Sequence, residues 1–350
     1  MKNLLVIRLS AIGDVALTVP VIDSLARQHP ELKITVLTAK RCAAFFDWMP
    51  TNVSVIGIKT SDYKGITGLN RLYNELRHKD FDAVADLHDV LRSIFLRWRF
   101  RLSGVKVSCI DKGRKDKQAL IGQGNTAKQL PHTTERYLKV FQELGIDIEP
   151  DFICAFNKAT ADYSSIELLT GKKHPSDRWV GIAPFAAHKG KIFPLDKMEK
   201  VVKRLAEEGY KVFLFGAGDK EKGILTQWEG EGVISTAGKA GGFHNEILLM
   251  SQLDCMVSMD SANMHLASMV DVPVVSIWGA THPKAGFLGW RQSASSIVQL
   301  NLPCRPCSVY GNKECKYGDY RCLTRITVED ILQHIHRATN IDKKHLTTTK

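Results

Sequence analysis

The sequence predicts an α/β fold with two doubly wound domains. Twice along the chain, short apolar runs typical of buried parallel strands alternate with amphipathic helical patterns. The 350 residues, 44% of them apolar, suffice for two cores of ordinary domain size. Polar residues follow several predicted strands, at the sheet edge where open α/β sheets bind ligands. We therefore expect domains at 1–160 and 177–325, joined by a polar linker, and a C-terminal helix with a frayed tail at 326–350.

The first domain opens with a strand, a polar loop and a helix. Residues 3–9 are almost continuously apolar, residues 10–14 form the loop, and residues 15–28 follow a helical pattern in which Pro20 predicts a kink. The loop has neither the three-glycine spacing of a dinucleotide site nor the Gly-Lys-Ser/Thr of a P-loop, so it does not favour NAD binding or ATP hydrolysis. It offers Asp14, which we interpret either as a catalytic base or as the cap of the helix that begins after it.

A second polar cluster follows the apolar run at 81–88. Its members are Asp86, His88, Asp89 and Arg92. Because the ends of parallel strands share one sheet edge, we expect this cluster beside the first loop. Its two acids and its histidine are the alternative candidates for a base.

The chain is basic, and much of the charge is concentrated in one segment. It carries 48 basic and 37 acidic residues, a net charge of +11, which favours polyanionic partners. Residues 97–117 contain eight basic and two acidic residues, a local excess of 8 − 2 = +6. Trp98, Phe100 and Leu102 interleave with these charges and would hold the segment against a surface. We weigh an anion-binding patch, for phospholipid headgroups or a phosphorylated acceptor, against a merely solvated face.

The second domain is organised around residues 257–283. An apolar run there ends in Asp260 and Ser261, a short helical pattern follows, and another apolar run completes a βαβ unit. Either Asp260 or Ser261 can cap the helix, whose first N–H groups point beyond the strand ends. The stretch is thus either a ligand site or an ordinary capped helix that carries a solvated His265.

Two domains of this kind predict a transferase, with a donor and an acceptor on opposite sides of an interdomain cleft. One alternative is an NAD- or nucleotide-dependent enzyme, against which the missing glycine and P-loop fingerprints argue. The other is a nucleic-acid-binding module, against which the concentration of charge in one segment argues. The N-terminus has no small-residue cleavage site and no apolar run is long enough for a membrane span, so we expect a cytoplasmic protein.

Four motifs and a cysteine-rich tail together resemble one family. The motifs are RLSAIGDVALTVPVIDSL at 8–25, HKGKIFP at 188–194, MDSANMHLASM at 259–269 and WGATHP at 278–283. Their order and spacing are similar to those of the ADP-heptose:lipopolysaccharide heptosyltransferases, glycosyltransferase family 9. The resemblance implies a GT-B fold, with two Rossmann-like domains facing each other across a cleft. It also implies an inverting, metal-independent transfer of heptose from ADP-heptose to the lipopolysaccharide inner core or a related glycolipid.

The resemblance further implies roles for individual residues. It puts the catalytic base at Asp14, and it puts the donor phosphates at Lys191, with Lys189 as the neighbouring alternative. It puts the nucleoside at Glu221, with Asp219 as a competitor. The other donor-binding residues belong to the family's Asp-Thr/Ser-Gly-Pro-Met-His motif: Asp260, Ser261, Ala262 and His265. Because Ala262 and Asn263 replace the Gly and Pro of that motif, another nucleotide sugar remains an alternative donor.

The acceptor implied by the resemblance is a phosphorylated glycolipid of the lipid A-core type. We assign to it two residues of the first loop and six basic side chains: Ser10, Gly13, Arg92, Arg97, Arg99, Arg101, Arg114 and Lys115. We expect peripheral contact with the cytoplasmic face of the inner membrane and no nucleic-acid partner. No cofactor is required for the transfer.

Four of the eight cysteines are close together near the C-terminus. They have the spacing Cys-x2-Cys-x7-Cys-x6-Cys and are Cys304, Cys307, Cys315 and Cys322. In a cytoplasmic chain this spacing favours a structural zinc site over disulfides, although the second pair lacks the tight Cys-x2-Cys of a zinc ribbon.

Overall fold

The chain divides into two compact units. The computed structural model describes residues 1–345, without the side chains of residue 125 and residues 340–345. The first unit contains Met1–Gly113 and Pro131–Ala155, and the second contains Arg114–Leu130 and the chain from Phe156 onward. The boundary predicted at residue 160 lies close to the last crossing between the units, at 155–156. The segment 114–130, which we expected in the first domain, belongs to the second unit.

The first unit is a five-stranded parallel sheet in the order β3-β2-β1-β4-β5. Its strands are β1 (Asn3–Ile7), β2 (Lys33–Ala39), β3 (Val53–Ile58), β4 (Ala83–Asp86) and β5 (Lys106–Cys109). Its helices are α1 (Ile12–Ala16), α2 (Val19–Gln28), α3 (Gly65–Arg77), α4 (Leu91–Leu102) and α6 (Thr133–Glu143). The central strands are apolar and buried on both faces, as in other parallel sheets that carry helices. The carboxyl ends of β1 and β4 therefore lie side by side.

The second unit is a six-stranded parallel sheet in the order β11-β10-β9-β6-β7-β8. Its strands are β6 (Trp179–Ala183), β7 (Lys211–Leu214), β8 (Val233–Ser235), β9 (Cys255–Met259), β10 (Val274–Trp278) and β11 (Ile297–Gln299). Its longer helices are α7 (Ser164–Thr170), α8 (Leu195–Glu207), α9 (Gly218–Gln227), α10 (Phe243–Ser251), α11 (Ala262–Met269) and α13 (Val328–His345). Two short helices, α5 (Arg114–Ala119) and α12 (Arg321–Thr324), complete it. The neighbouring strands β6, β9 and β10 bring three loops to one edge of the sheet.

The helix predicted over 15–28 is in fact two helices. The first, α1, begins at Ile12 and ends at Ala16, and α2 begins at Val19. Pro20 lies in the first turn of α2, where the N–H that proline lacks has no partner within the helix. The predicted kink at Pro20 is therefore wrong.

The C-terminal helix is longer than the sequence pattern indicated. It extends to His345 and packs Ile331, Ile335 and Ala338 into the core of the second unit. Residues 346–350 of the predicted frayed tail lie outside the described residues. Within residues 1–345, no helix combines the length and the apolar character that a bilayer crossing requires.

Candidate active site

Three polar side chains meet at the strand ends of the second unit. Asp260 follows β9, Thr281 follows β10, and Lys191 lies in the loop after β6. Asp260 Oδ2 is 2.8 Å from Lys191 Nζ and accepts a hydrogen bond of 2.7 Å from Thr281 Oγ1. An ammonium has three N–H donors, and Asp260 accepts from one of them. The buried carboxylate of Asp260 thus fixes a cation at the ligand-binding edge of the sheet.

Close backbone contacts hold the Lys191 loop in place. Ala280 N donates to Gly190 O over 2.8 Å, and a Cβ on Gly190 would lie only 2.9 Å from the Ala280 Cβ. Gly311, with φ of +78°, lies against the Lys191 side chain, where an added Cβ would be 2.5 Å from Lys191 Cγ. Both positions therefore require glycine. The loop that carries Lys191 is held between the end of β10 and the cysteine-containing segment.

The first turn of α11 begins directly behind Asp260. Ser261 occupies the N-cap position, but no side chain caps this helix, and the Ser261 hydroxyl lies 3.2 Å from Ser258 Oγ. The expectation that Asp260 or Ser261 caps α11 through its side chain is therefore wrong, because the Asp260 carboxylate binds Lys191 and Thr281 instead. A helix N-terminus without a side-chain cap can bind an anion through its first N–H groups.

The other predicted donor residues have varied surroundings. Glu221 lies in the first turn of α9, where its Oε2 accepts a hydrogen bond of 2.7 Å from Ala217 N, while Asp219 is exposed. Lys189 is exposed, with its Nζ 5.1 Å from the centre of the Tyr320 ring. His265 is buried, and the prediction of a solvated His265 is wrong. The structure thus brings Lys191, rather than Lys189, to Asp260.

In the first unit, Asp14 lies in the first turn of α1. Its Oδ2 is 2.5 Å from Arg8 Nη2 and 3.4 Å from Ala11 N. The Tyr137 hydroxyl donates to the Asp14 carbonyl over 3.1 Å, and Arg8 lies 5.9 Å from the Tyr137 ring centre. The predicted helix start at Val15 is wrong, because α1 already begins at Ile12. Asp14 is the third residue of this helix, and its side chain helps to cap it by accepting from the N–H of the N-cap residue Ala11. The carboxylate is also held by a buried arginine and is itself partly exposed.

His88 is the buried histidine nearest to this loop. Its Nδ1 accepts from Leu9 N at 3.4 Å, and its Nε2 is 3.2 Å from Ser10 Oγ. Burial, together with the charges of Arg8 and Lys112, lowers the pKa of His88 to about 3. His88 is therefore neutral near pH 7.

Asp86 and Asp89, the other alternative bases, are bonded within the first unit. Asp86 is fully buried, and one of its oxygens accepts from the N–H groups of His88 and Asp89. Arg97 Nη1 lies 3.0 Å from Asp86 Oδ2 and 3.5 Å from Asp89 Oδ1. These contacts suit a structural role for Asp86, because a buried carboxylate without its cation would be costly.

The basic segment 97–117 divides between the two units at residue 113. Arg99 lies 4.4 Å from the Tyr73 ring centre and bonds Asn70. Lys117 is buried, with its Nζ 4.1 Å from the Phe287 ring centre. Other members of the predicted acceptor set differ in placement: Arg92 donates to Thr60 O at 3.4 Å, whereas Arg101, Arg114 and Lys115 are exposed.

The four clustered cysteines line one cavity of about 20 Å³ in the second unit. All are free thiols, and burial raises the pKa of Cys322 to about 11. Arg305 shares the cavity wall and donates to the carbonyls of Gly279 and Thr281, and its burial lowers its pKa to about 10. Four thiols are the donor set of a tetrahedral zinc or iron site. In the described part of the chain, however, no three His, Cys, Asp or Glu side chains are arranged to hold a metal ion.

Sequence reasoning missed three side chains of these clusters. Thr281 lies within the WGATHP motif that follows a predicted strand, and Arg8 immediately follows β1. The position of a polar residue just after a strand could therefore have indicated both. Tyr137 lies in α6 and reaches Asp14 only through the packing of that helix. No local pattern indicates such a long-range contact.

Comparison with known proteins identifies the family. Residues 69–318 match the profile of glycosyltransferase family 9 (heptosyltransferase). Lipopolysaccharide heptosyltransferase 3 of Escherichia coli (strain K12) is 27% identical over 343 residues, which cover 91% of this chain and 93% of that protein. The structure of E. coli ADP-heptose lps heptosyltransferase II is similar with a TM-score of 0.70 at 18% identity, over 97% of this chain and 99% of that chain. E. coli heptosyltransferase WaaC with ADP gives a TM-score of 0.66 at 19% identity, over 96% and 99%.

The two parallel-sheet units and these structural similarities identify a GT-B type fold built from two Rossmann-like units. The profile match extends over more than half of the residues and includes the cluster of Lys191, Asp260 and Thr281. The chain belongs to glycosyltransferase family 9 and is a glycosyltransferase.

Proposed function

We propose that the protein transfers a heptose from ADP-heptose to the lipopolysaccharide inner core or a related phosphorylated glycolipid, with inversion at the anomeric carbon. Family membership and the relative that binds ADP support this proposal. The observation that carries it is the contact of Asp260 with both Lys191 and Thr281 at the strand ends of the second unit.

In this proposal the second unit holds the donor through its diphosphate. The Lys191 ammonium and the first N–H groups of α11 supply positive charge beside Asp260. As the bond from the anomeric carbon to the diphosphate breaks, its electron pair leaves with ADP, and these groups stabilise the charge that develops. The step is metal-independent in this proposal, because protein groups supply that charge.

Asp14 is the proposed base. It takes the proton from the acceptor hydroxyl while that oxygen forms the new bond to the anomeric carbon. The Arg8 contact at 2.5 Å holds the carboxylate in place. Of the three alternatives, Asp86 and His88 are buried, and Asp89 lies 3.5 Å from Arg97.

Donor identity is tested with a panel of nucleotide sugars. The protein is incubated with ADP-heptose, ADP-glucose, UDP-glucose and GDP-mannose, each with and without a lipid A-core acceptor, and release of the nucleoside diphosphate is measured. We expect release of ADP from ADP-heptose only when the acceptor is present, and no release of nucleoside diphosphate from the other three sugars. A preference for another nucleotide sugar would show that ADP-heptose is not the donor. Absence of release from every sugar would contradict the proposed transfer.

We further propose that the protein works in the cytoplasm, with its first unit receiving the acceptor at the inner membrane surface. Arg101 is an exposed member of the predicted set within the first unit, and we assign it to the acceptor phosphates. Arg101→Glu should raise the acceptor KM and leave the donor Kd unchanged. Lys200→Glu on α8 makes the same change in net charge at another exposed position and should change neither. An unaltered acceptor KM for Arg101→Glu would indicate a solvated face.

We also propose that the four cysteines hold a structural metal, zinc or iron. The four thiols that line one cavity support this proposal. Because no three of them are arranged to hold a metal ion in the described part of the chain, they would have to move together to form metal–sulfur bonds of about 2.3 Å. Protein purified under reducing conditions should contain about one metal ion per chain by elemental analysis, and Cys304→Ser should contain less. Metal-free protein that gains no thermal stability on addition of zinc or iron(II) would show that the cysteines are only buried thiols.

A further inference from the structure

Helix α4 has an inner face that belongs to the core of the first unit. Ser93, Leu96 and Phe100 are buried, one turn apart along the helix. The Phe100 ring packs edge-on against Tyr73 and Phe81, with centroid distances of 5.1 and 6.1 Å. This face alone accounts for the folding of α4 onto the sheet.

The opposite face of α4 is also apolar, and it is exposed. The exposed fractions are 87% for Leu91, 38% for Ile94, 57% for Trp98 and 66% for Leu102. At 3.6 residues per turn, these side chains fall within roughly 80° of one another around the helix. They form a continuous stripe on a helix about 18 Å long. An exposed stripe of this kind on an otherwise normal surface marks an interaction site.

Arginines border this stripe on both sides. By helical geometry, Arg92 and Arg99 lie along one side and Arg101 along the other. Arg97 is on the same side as Arg101, but its guanidinium is paired with Asp86 and Asp89. The helix contains no acidic residue. Cations that border an apolar stripe containing tryptophan are typical of helices that lie in the interface of an anionic bilayer.

We infer that the outer face of α4 docks the protein onto an anionic phospholipid surface by inserting Leu91, Ile94, Trp98 and Leu102 between headgroups. The inference rests on the proposed transfer to a lipid-linked acceptor and assigns to the apolar stripe the membrane contact proposed above. Charge complementarity selects this occupant. In a symmetric contact with a second copy, the arginines of both α4 helices would lie against one another, and this like-charge contact is unfavourable.

Vesicle flotation with the full chain tests the docking. The vesicles contain phosphatidylethanolamine and phosphatidylglycerol, with phosphatidylcholine vesicles as the neutral comparison. The test variant is Trp98→Gln with Leu102→Gln, which loses two apolar side chains from the stripe. The matched control is Leu168→Gln, because Leu168 on α7 is a fully exposed leucine outside the stripe. Thermal unfolding verifies that each variant is folded.

We expect wild type and Leu168→Gln to float with the anionic vesicles. The double variant should bind them about a hundredfold more weakly, because burial of each of the two side chains contributes about a factor of ten or more. Brominated lipid should quench part of the wild-type tryptophan fluorescence and quench Trp98→Phe less. Equal binding by wild type and the double variant, or no binding by wild type, would overturn the inference.

Transfer to a water-soluble, delipidated core oligosaccharide separates docking from catalysis. The double variant should transfer heptose to this acceptor at the wild-type rate, since the stripe contacts lipid only. Loss of that activity in the double variant would instead assign the stripe to the glycan site and overturn the docking inference. Failure of wild-type protein itself to transfer would contradict the proposed function, while the flotation result would still decide the docking.

Discussion

At the residue scale, the Asp14 carboxylate is held on several sides. Arg8 pairs with it, Ala11 N donates to it, and Tyr137 bonds the carbonyl of the same residue. Such contacts fix the direction of the oxygen that would accept a proton, and proton transfer depends on that geometry.

The substitution Asp14→Asn tests whether Asp14 is the base. Asparagine keeps an oxygen for Ala11 N but cannot accept the proton, so turnover should fall by about a hundredfold or more while ADP affinity remains unchanged. Transfer kinetics and calorimetric titration with ADP measure the two effects. Turnover near that of wild type would leave Asp14 as a structural residue of the first turn of α1.

His88 makes the stability of the first unit dependent on pH. Its folded pKa of about 3 lies below its ordinary value of 6.5, so the unfolded chain binds the additional proton between these values. Stability should therefore be fully present above about pH 6.5 and fall as the pH decreases toward 3. Protonation of His88 would also place a hydrogen on Nδ1, so that this atom could no longer accept the hydrogen bond from Leu9 N.

Urea unfolding at pH 7 and pH 5 checks this contribution. His88→Asn retains an acceptor but cannot take up the proton, so its stability should fall less between the two pH values than that of wild type. His78→Asn is the matched control, because His78 is exposed, and it should behave like wild type. An identical pH dependence for His88→Asn and wild type would contradict the buried neutral state of His88.

At the scale of elements, the Lys191 loop depends on a glycine far away in sequence. Gly311→Ala should displace the Lys191 side chain and raise the donor Kd in the same direction as Lys191→Ala. Gly318→Ala is the matched control: it also has positive φ, of +75°, but no atom lies within 4 Å of an added Cβ. Both glycine variants should lose about 1 kcal/mol of stability, but only Gly311→Ala should weaken ADP binding. Equal donor affinity in the two variants would show that Gly311 does not position Lys191.

The alternation of strands and helices was predictable where apolar runs were clear, and the contacts between loops were not. Near-continuous apolar runs indicated β1, β9 and β10 directly, because buried parallel strands need them. The motif positions also located Lys191 and Asp260, which the structure brings into contact. The bond from Thr281 to Asp260 depends instead on which strands are neighbours, and the sequence pattern does not contain that information.

At the scale of the whole molecule, the second unit is discontinuous in sequence. Gly122 N and Gly124 N donate to the carbonyls of Pro306 and Arg305 at 2.8 and 2.7 Å. Leu120 is buried in a small cluster with Ala127 and Ala285. The segment 114–130 is thereby fastened to the cysteine-containing part of its own unit.

Leu120→Ala should therefore destabilise the second unit specifically. Removal of a buried leucine side chain costs about 2–5 kcal/mol, and the lost contacts all lie in that unit. Hydrogen exchange by mass spectrometry should show reduced protection near residues 297–299 and 304–322 and unchanged protection in β1 and β2. Exchange that increases in the first unit instead would contradict the assignment of this segment.

The discontinuity also has a consequence for synthesis on the ribosome. The segment 114–130 leaves the ribosome long before its partners, because Pro306 follows Gly122 by 306 − 122 = 184 positions. At roughly 5–20 residues per second, the segment waits about 10–40 seconds for them. During that time, Leu120 and its apolar neighbours have no native partner from residues 285–306, while the strands of the first unit are already complete. Newly made chains are therefore most exposed to aggregation during synthesis of the second unit.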